Sequence, residues 1–270
     1  GALFTSCGGG CPDPVDGFFA ATSNFTDPIT LVGAEAHPPY DRPPLSKSVL
    51  LGKDDRVDLK PTAFYTDSDI TLRLGTTVGS VDTDAKTVSV VDEAGERSVV
   101  EYDTLVLATG LRPRAFPGTD AMSGVHTLRT FADALAVRSA IDAAQNAVVI
   151  GAGFIGCEVA ASLSSQGIDV TIVEPASTPL ALALGPRIGA LVTRMHEANG
   201  VTVCTGVGVA EIVAGQGGAV REITLDDGSV VPADLVVAAL RAQLESLPTT
   251  RNVSVRRLIR GANFIEIPEI

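Results

Sequence analysis

The stretch NAVVIGAGFIGCEVAASLSSQGIDVTIVEPA, residues 146–176, decides the fold. An apolar run from Ala147 to Ile150 predicts a buried strand, and a turn with three spaced glycines follows it at once. The apolar residues after the turn predict a helix that continues to about Gln166 and stops at Gly167. Residues 169–173 then predict a second strand. Strand, glycine turn, helix and strand in this order are typical of a Rossmann-like unit.

Each glycine of the turn has its own physical role in a dinucleotide site. Gly151 permits a tight turn, Gly153 lets a pyrophosphate approach the backbone, and Gly156 allows the helix to pack closely on the strand. The free amides at the start of the helix would hold the pyrophosphate. Glu174 ends the next strand, where its carboxylate can accept bonds from a ribose and would repel a 2′-phosphate, which favours NADH over NADPH. The predicted NADH-binding residues are Gly151, Gly153, Phe154, Ile155, Gly156 and Glu174.

The first half of the chain repeats the order of elements in the second half. ITLVGAE (29–35) is similar in character to VTIVEPA (170–176). Residues 86–110 and 221–240 each contain a strand, an acidic turn with glycine, a second strand, an Asp and a buried strand. We therefore predict an α/β fold with two tandem Rossmann-like domains.

Other segments predict further elements. Thr130 and Asp133 have the spacing of a capping box that opens a helix. Residues 187–199 predict another helix, which ends at Gly200.

Composition and charge exclude several classes of function. The 270-residue chain has a net charge of −12 with acids and bases interspersed, which argues against binding to nucleic acid or to a membrane surface. The longest apolar stretch, 147–157, is too short to span a bilayer. The three histidines are scattered and no metal site is expected. The four cysteines form no CxxC pair, which favours a reduced, cytoplasmic setting. The oligomeric state is not indicated.

Three positions are ambiguous from the residues alone. The proline-rich loop HPPYDRPPLSK (37–47) is either a rigid turn with solvated charges or a pre-formed cofactor loop. Glu158, in the otherwise apolar helix, is either a partner of the helix dipole or a member of the site. Thr109-Gly110, at the end of a buried strand, is either a plain turn or a ligand contact.

Four stretches together resemble one known family. They are PYDRPPLSK (39–47), LVLATGLRPR (105–114), LRTFADA (128–134) and VVIGAGFIGCEVAASL (148–163). The chain is similar through them to the FAD-dependent ferredoxin reductases, the group with the putidaredoxin, rubredoxin and biphenyl-dioxygenase ferredoxin reductases in the pyridine nucleotide-disulfide oxidoreductase superfamily. The similarity runs from about Asp27 to about Ala239.

The resemblance implies a flavoprotein oxidoreductase with three-layer ββα domains. It would bind FAD and NADH and transfer electrons from NADH via FAD to a ferredoxin- or rubredoxin-type iron–sulfur protein. Lys47 would lie near the flavin ring as a catalytic residue, and Glu158 would face the flavin as the charge partner of Lys47. The residues that the resemblance assigns to FAD are Gly8, Gly10, Glu35, Arg42, Lys47, Thr109, Gly110 and Arg129.

Both ends of the chain depart from the family pattern. Gly8 and Gly10 stand where the first two glycines of the FAD fingerprint are expected, but Asp13 replaces the third, and LFTSC (3–7) is a weak strand. The family's C-terminal flavin segment and interface domain have no match after residue 242. We therefore expect a truncated chain with a disrupted FAD fingerprint. Its expected parts are an FAD-binding domain (1–112), an NAD-binding domain (113–242) and an atypical tail (243–270).

Two alternatives to an active ferredoxin reductase remain from the sequence. The chain could be a catalytically inactive NADH-binding module or a non-functional fragment of such a reductase. It could also be a flavin-dependent disulfide reductase, for which Cys7 and Cys11 are the cysteines closest in sequence.

Overall fold

The chain divides into two compact units in a computed structural model. The structure describes residues 2–6, 28–240, 243–244, 257–259 and 262–266, with side chains described for 28–240. The first unit comprises Gly1–Arg42, Arg56–Arg112 and Leu244–Ile270. The second unit comprises Pro43–Asp55 and Pro113–Gln243. The second half of the proline-rich loop therefore groups with the second unit.

The secondary structure alternates between strands and a few helices. The strands are β1 (Ala2–Ser6), β2 (Ile29–Gly33), β3 (Ile70–Arg73), β4 (Thr77–Asp82), β5 (Thr87–Val91), β6 (Arg97–Glu101), β7 (Thr104–Ala108), β8 (Leu111–Arg112), β9 (Val125–Thr127), β10 (Asn146–Ile150), β11 (Asp169–Glu174), β12 (Thr202–Thr205), β13 (Val209–Ala214), β14 (Val220–Leu225), β15 (Val230–Pro232), β16 (Leu235–Ala238), β17 (Gln243–Leu244), β18 (Arg257–Ile259) and β19 (Ala262–Glu266). The α-helices are α1 (Thr62–Asp67), α2 (Phe131–Ile141), α3 (Phe154–Ser164) and α4 (Ala181–Ala198), and 3₁₀ helices cover Pro43–Ser46 and Gln216–Gly218. Within the described part of the chain, no helix is long and apolar enough to cross a membrane.

A parallel sheet with the strand order β3-β2-β1-β7 forms the first unit's core layer. Strand β1 pairs with β2 on one side and β7 on the other, with Ala2 opposite both Ile29 and Thr104. Strand β1, which overlaps the segment LFTSC (3–7) with its weak strand composition, is therefore the central strand of the sheet. Strand β19 adds antiparallel to β7, and β18 pairs with β19.

The second unit repeats this arrangement around β10. Its parallel sheet has the order β12-β11-β10-β16-β9, so β10 lies between β11 and β16 as β1 lies between β2 and β7. Residues 147–150 of β10 and all of β16 are buried, as expected for parallel strands covered on both faces. The shared strand order confirms the predicted α/β fold with two tandem Rossmann-like domains.

Each unit also has an antiparallel layer, formed by β4-β5-β6 in the first unit and β13-β14-β15 in the second. In the second unit, Val148 and Ile150 of the parallel sheet share a core cluster with Ile223 and Leu225 of the antiparallel sheet. A matching cluster joins β2 and β7 to β4 and β5 in the first unit. Helix α3 packs on β10 and β11, and this completes the predicted ββα layering in the second unit.

The predicted helices are confirmed, one of them with a different start. The capping box of α2 forms, because the Thr130 side chain accepts the N–H of Asp133. Helix α4 begins at Ala181 and not at residue 187, since a break at Gly185 (φ 79°) joins an extra turn to the predicted segment. Strands β4 and β13 were not predicted. Each supplies the third strand of an antiparallel layer.

Asp234 ties the start of β16 to the start of β10. Its Oδ2 accepts the backbone N–H groups of Asn146 at 2.9 Å and Gln145 at 3.0 Å. The hydrogen bond from the Asn146 backbone is the main cause that lowers the pKa of Asp234. The carboxylate therefore stabilises the register of two buried strands while it stays ionised.

We expect Asp234→Ala to lower the free energy of unfolding by about 1–2 kcal/mol at pH 7, because two backbone donors lose a charged acceptor. Since the folded pKa lies below the unfolded value of about 3.9, this contribution is complete above that pH and is lost as the pH falls below it. Urea unfolding at pH 7 and pH 3 measures the effect, with the exposed Asp120→Ala as control. Equal losses at both pH values, or equal losses in both variants, would contradict this role.

Candidate functional site

Two of the three glycines in the turn after β10 are required by packing. Gly151 has φ 99°, and a Cβ built on it would lie 2.8 Å from the carbonyl oxygen of Ala239. A Cβ on Gly156 would lie 2.0 Å from the carbonyl oxygen of Gly151. The first contact packs the turn against the residue that follows β16, and the second holds the first turn of α3 against Gly151, directly after β10.

The middle glycine faces open space. Gly153 caps α3 with an extended backbone (φ −74°) and no side-chain cap, and no acidic residue lies in the helix's first turn. A Cβ on Gly153 would meet no atom within 4 Å among the described residues. The next two residues, Phe154 and Ile155, are exposed. A helix N-terminus with free space in front of it suits an anion such as a diphosphate.

Glu174 connects the glycine turn to the adjacent strand. Its Oε2 accepts the N–H of Ala152 at 2.7 Å, and its Oε1 accepts the N–H of Ala176 at 2.9 Å. The structure therefore places this carboxylate beside the turn, at the carboxyl end of β11, as predicted. Its role toward a ribose stays a prediction.

A second cluster joins the proline-rich loop to α3. Lys47 Nζ lies 2.7 Å from Glu158 Oε2, and the hydroxyl of Ser46 donates to the same oxygen at 2.5 Å. Their side chains are partly exposed, 46% for Lys47 and 38% for Glu158. The described contacts of the Glu158 carboxylate are therefore with the proline-rich loop.

A third cluster lies in the first unit, just after β2. The carboxylate of Glu35 accepts the Tyr40 hydroxyl at 2.6 Å and an Arg42 guanidinium nitrogen at 2.5 Å. The Arg42 guanidinium also lies 4.8 Å from the centroid of the Tyr40 ring. The cluster offers a carboxylate, a cation and an aromatic face at the carboxyl end of a parallel strand, where open α/β sheets bind ligands.

The other predicted site residues lie in other segments of the chain than these three clusters. Thr109 is buried directly after β7, and Gly110 follows with φ 73°. Arg129 precedes α2 and its backbone N–H donates to Asp133 Oδ2 at 2.8 Å. Gly8 and Gly10 lie outside the described residues.

Sequence reasoning missed two polar partners, Ser46 and Tyr40. The serine stands in a proline-rich loop, where such a residue usually closes a local turn. The tyrosine lies in the same loop, which has no helical or strand periodicity. Neither position carries a sequence signal that distinguishes it from a loop residue.

Burial raises the pKa of both described cysteines. Cys157 is buried, and burial raises its pKa to about 11, with further contributions from the charges of Glu174 and Glu158. Burial also raises the pKa of Cys204. The described residues contain no group of three His, Cys, Asp or Glu that could hold a metal. Cys7 and Cys11 lie outside the described residues.

This chain is similar to known proteins over most of its length. A model of the pyridine nucleotide-disulphide oxidoreductase family matches residues 18–257. Rhodocoxin reductase of Rhodococcus erythropolis is 39% identical over 258 residues, which cover 90% of this chain and 59% of that protein. The biphenyl dioxygenase system ferredoxin–NAD(+) reductase component of Paraburkholderia xenovorans (strain LB400) is 38% identical over 248 residues, with 90% and 59% covered.

A solved structure has a similar fold. The covalent putidaredoxin reductase–putidaredoxin complex matches with a TM-score of 0.80 and 31% identity, and the match covers 89% of this chain and 58% of that one. The chain thus spans somewhat more than half the length of these relatives.

We expect Gly153→Ala to keep the fold and to weaken NADH binding about tenfold or more, because the methyl group enters the space left for the diphosphate. Gly156→Ala is the contrasting variant, and we expect it to lower the free energy of unfolding by about 1–3 kcal/mol because its Cβ overlaps the Gly151 carbonyl. NADH fluorescence titration and thermal unfolding measure the two effects. NADH binding by Gly153→Ala at wild-type strength would contradict an anion site at this turn.

We expect Cys157 to react more slowly with iodoacetamide than Cys204 at pH 8, because a buried thiol with a pKa of about 11 is almost wholly protonated there. Its rate should rise steeply only above about pH 10. Peptide mass spectrometry gives both rates, and unfolding in guanidinium should make them similar. Fast native labelling of Cys157 would show that the residue is not part of the core.

Proposed function

The chain belongs to the pyridine nucleotide-disulphide oxidoreductase family, and on that premise we propose that it transfers electrons from NADH, through bound FAD, to an iron–sulfur protein of the ferredoxin or rubredoxin type. The resemblance to ferredoxin reductases is confirmed by relatives of that description. The observation that carries the proposal is the open Gly153 at the start of α3, with the Glu174 carboxylate beside the same turn.

The second unit is proposed to bind NADH. The diphosphate would lie before the amides of residues 153–155, where the Gly153 backbone leaves room. Glu174 would accept the hydroxyls of the adenosine ribose. Because its carboxylate is already fixed by two backbone N–H groups, a 2′-phosphate would meet a negative charge that cannot easily move away.

The described part of the first unit fits the adenosine end of FAD. Glu35 lies two residues after β2, near the carboxyl end of that strand, as Glu174 lies at the carboxyl end of β11. Arg42 and Tyr40 stand beside Glu35. Thr109 and Gly110 directly follow β7, the strand next to the central β1. We propose Gly8 and Gly10 as further FAD-binding residues of this unit, and Arg129 as an FAD-binding residue that belongs to the second unit. We also propose residues 1–112 and 113–242 as the FAD-binding and NAD-binding domains.

FAD, when bound, accepts a hydride from NADH and releases single electrons to a one-electron acceptor. The contribution proposed for this chain is the ion pair of Lys47 and Glu158. A fixed ammonium beside the flavin ring would stabilise negative charge, and the carboxylate would hold that ammonium in place.

The acceptor class follows from the relatives. One is the reductase component of a dioxygenase system with a ferredoxin, and one solved neighbour is covalently joined to putidaredoxin. We propose an iron–sulfur protein for this chain as well. A cytoplasmic location is proposed because NADH is supplied there.

An NADH-binding module without turnover is the second candidate. Asp13 favours it, since a negative charge stands where the third glycine of the FAD fingerprint is expected. A disulfide reductase is less favoured, because Cys7 and Cys11 are separated by three glycines and do not form a CxxC pair.

We expect the purified chain to show visible flavin absorbance after reconstitution with FAD, and to reduce a one-electron dye with NADH about tenfold faster than with NADPH. Flavin content and dye reduction are measured on the same sample. A colourless protein that still binds NADH would overturn the reductase and support the silent module.

A further inference from the structure

Ser46 is held by α3 through both its side chain and its backbone. Its hydroxyl donates to Glu158 Oε2 at 2.5 Å, and its carbonyl accepts the hydroxyl of Ser162 at 2.7 Å. Glu158 and Ser162 are four residues apart, so they lie on one face of the helix. Ser46 and Ser162 are both buried. One helix face therefore fixes both the position and the direction of this loop serine.

The loop around Ser46 is itself rigid. Pro43 and Pro44 begin the 3₁₀ helix, and the Pro44 carbonyl accepts the N–H groups of Lys47 and Val49, each at 3.0 Å. The apolar side chains on either side of the serine are buried, namely Leu45, Val49 and Leu50. The Ser46 hydroxyl thus projects from a rigid, buried anchor, whereas Lys47 is half exposed at the end of a flexible stem.

The hydroxyl proton of Ser46 has two acceptors within reach. The Pro43 carbonyl lies 3.4 Å away, which is a weak local contact, and the Glu158 carboxylate lies 2.5 Å away. A hydroxyl has one proton, and the shorter bond to a charged acceptor is much the stronger. The main hydrogen bond of the Ser46 hydroxyl is therefore the one to the Glu158 carboxylate, and its contact with the local turn is minor.

We propose that Ser46 is the positioning residue of the Lys47–Glu158 pair. A partly exposed ion pair does not keep one geometry by itself, because side-chain entropy and water offset its attraction. The buried hydroxyl supplies the missing constraint: it holds Oε2 where Lys47 can pair with it. The consequence for flavin reduction rests on the function proposed above, whereas the constraint on Lys47 is a property of this unit alone.

The first test needs no flavin. An amine-reactive anhydride is applied briefly to the folded chain, and peptide mass spectrometry compares labelling of Lys47 with that of the exposed Lys53 as internal reference. We expect Ser46→Ala to raise the ratio of Lys47 to Lys53 labelling about threefold or more, toward the ratio of Glu158→Gln, because the ammonium loses its fixed partner. Ser165→Ala, which removes another serine hydroxyl bonded to α3, is the matched control.

The second test uses the FAD-loaded protein. We expect Ser46→Ala to lower kcat for NADH-driven dye reduction about tenfold while the KM for NADH stays within about twofold, since a bond to a charged group is lost away from the NADH site. The double variant of Ser46→Ala with Glu158→Gln should be no slower than Glu158→Gln alone, because both act through one carboxylate. Ser46→Thr, which keeps a hydroxyl, should recover most of the rate.

The outcomes separate the two claims. An unchanged Lys47 ratio in Ser46→Ala, or the same rise in Ser165→Ala, would overturn the positioning role. Additive losses in the double variant would overturn it as well. A raised ratio in a protein that shows no NADH-driven reduction would support the positioning of Lys47 and overturn the reductase function.

Discussion

The close approach of α3 to the end of β10 is the constraint on which the second unit depends. The helix can start there only because residue 156 has no side chain, since a Cβ would fall 2.0 Å from the Gly151 carbonyl. That contact directs the first amides of the helix toward the space in front of Gly153. It also sets the rotation of the helix, so that Glu158 and Ser162 both meet the proline-rich loop. One steric requirement thus determines where the first amides of the helix point, which is where we propose the diphosphate to bind, and where the charged pair forms.

Each unit has a glutamate near the carboxyl end of a parallel strand, and the two carboxylates have different hydrogen-bond partners. Glu174 stays at the carboxyl end of β11 because two backbone N–H groups hold it, whereas Glu35 after β2 is held by the side chains of Tyr40 and Arg42. The strand order around them is the same, yet the partners differ. A carboxylate fixed by uncharged amides keeps its negative field toward a ligand, and one paired with arginine has much of its charge compensated. The two ribose sites proposed for this chain therefore differ in electrostatics although they share a fold.

The sequence could predict the elements that neighbouring residues determine, but not the elements and contacts that depend on residues far away in the chain. Residues 146–176 could be assigned correctly because the apolar strand, the turn with three glycines and the helix that stops before Gly167 are each marked by neighbouring residues. Strand β1 has weak composition, and its central place comes from pairing with β2 and β7, which no local pattern reveals. Strands β4 and β13 each have one buried residue, Val81 and Ile212, and neither sequence shows the strict apolar–polar alternation that predicts a strand. The Ser46 contact joins residues 112 positions apart, so only the packing of the loop on α3 could show it.

The central claim is that the turn at Gly151–Gly156 holds the diphosphate of NADH, with Glu174 selecting the sugar. Isothermal calorimetry of the folded chain with NADH, and then with NADPH, tests it directly. The account predicts saturable binding of one NADH per chain, with NADPH weaker by about tenfold or more because of its extra phosphate charge. No heat with NADH, or NADPH binding as tightly as NADH, would contradict it.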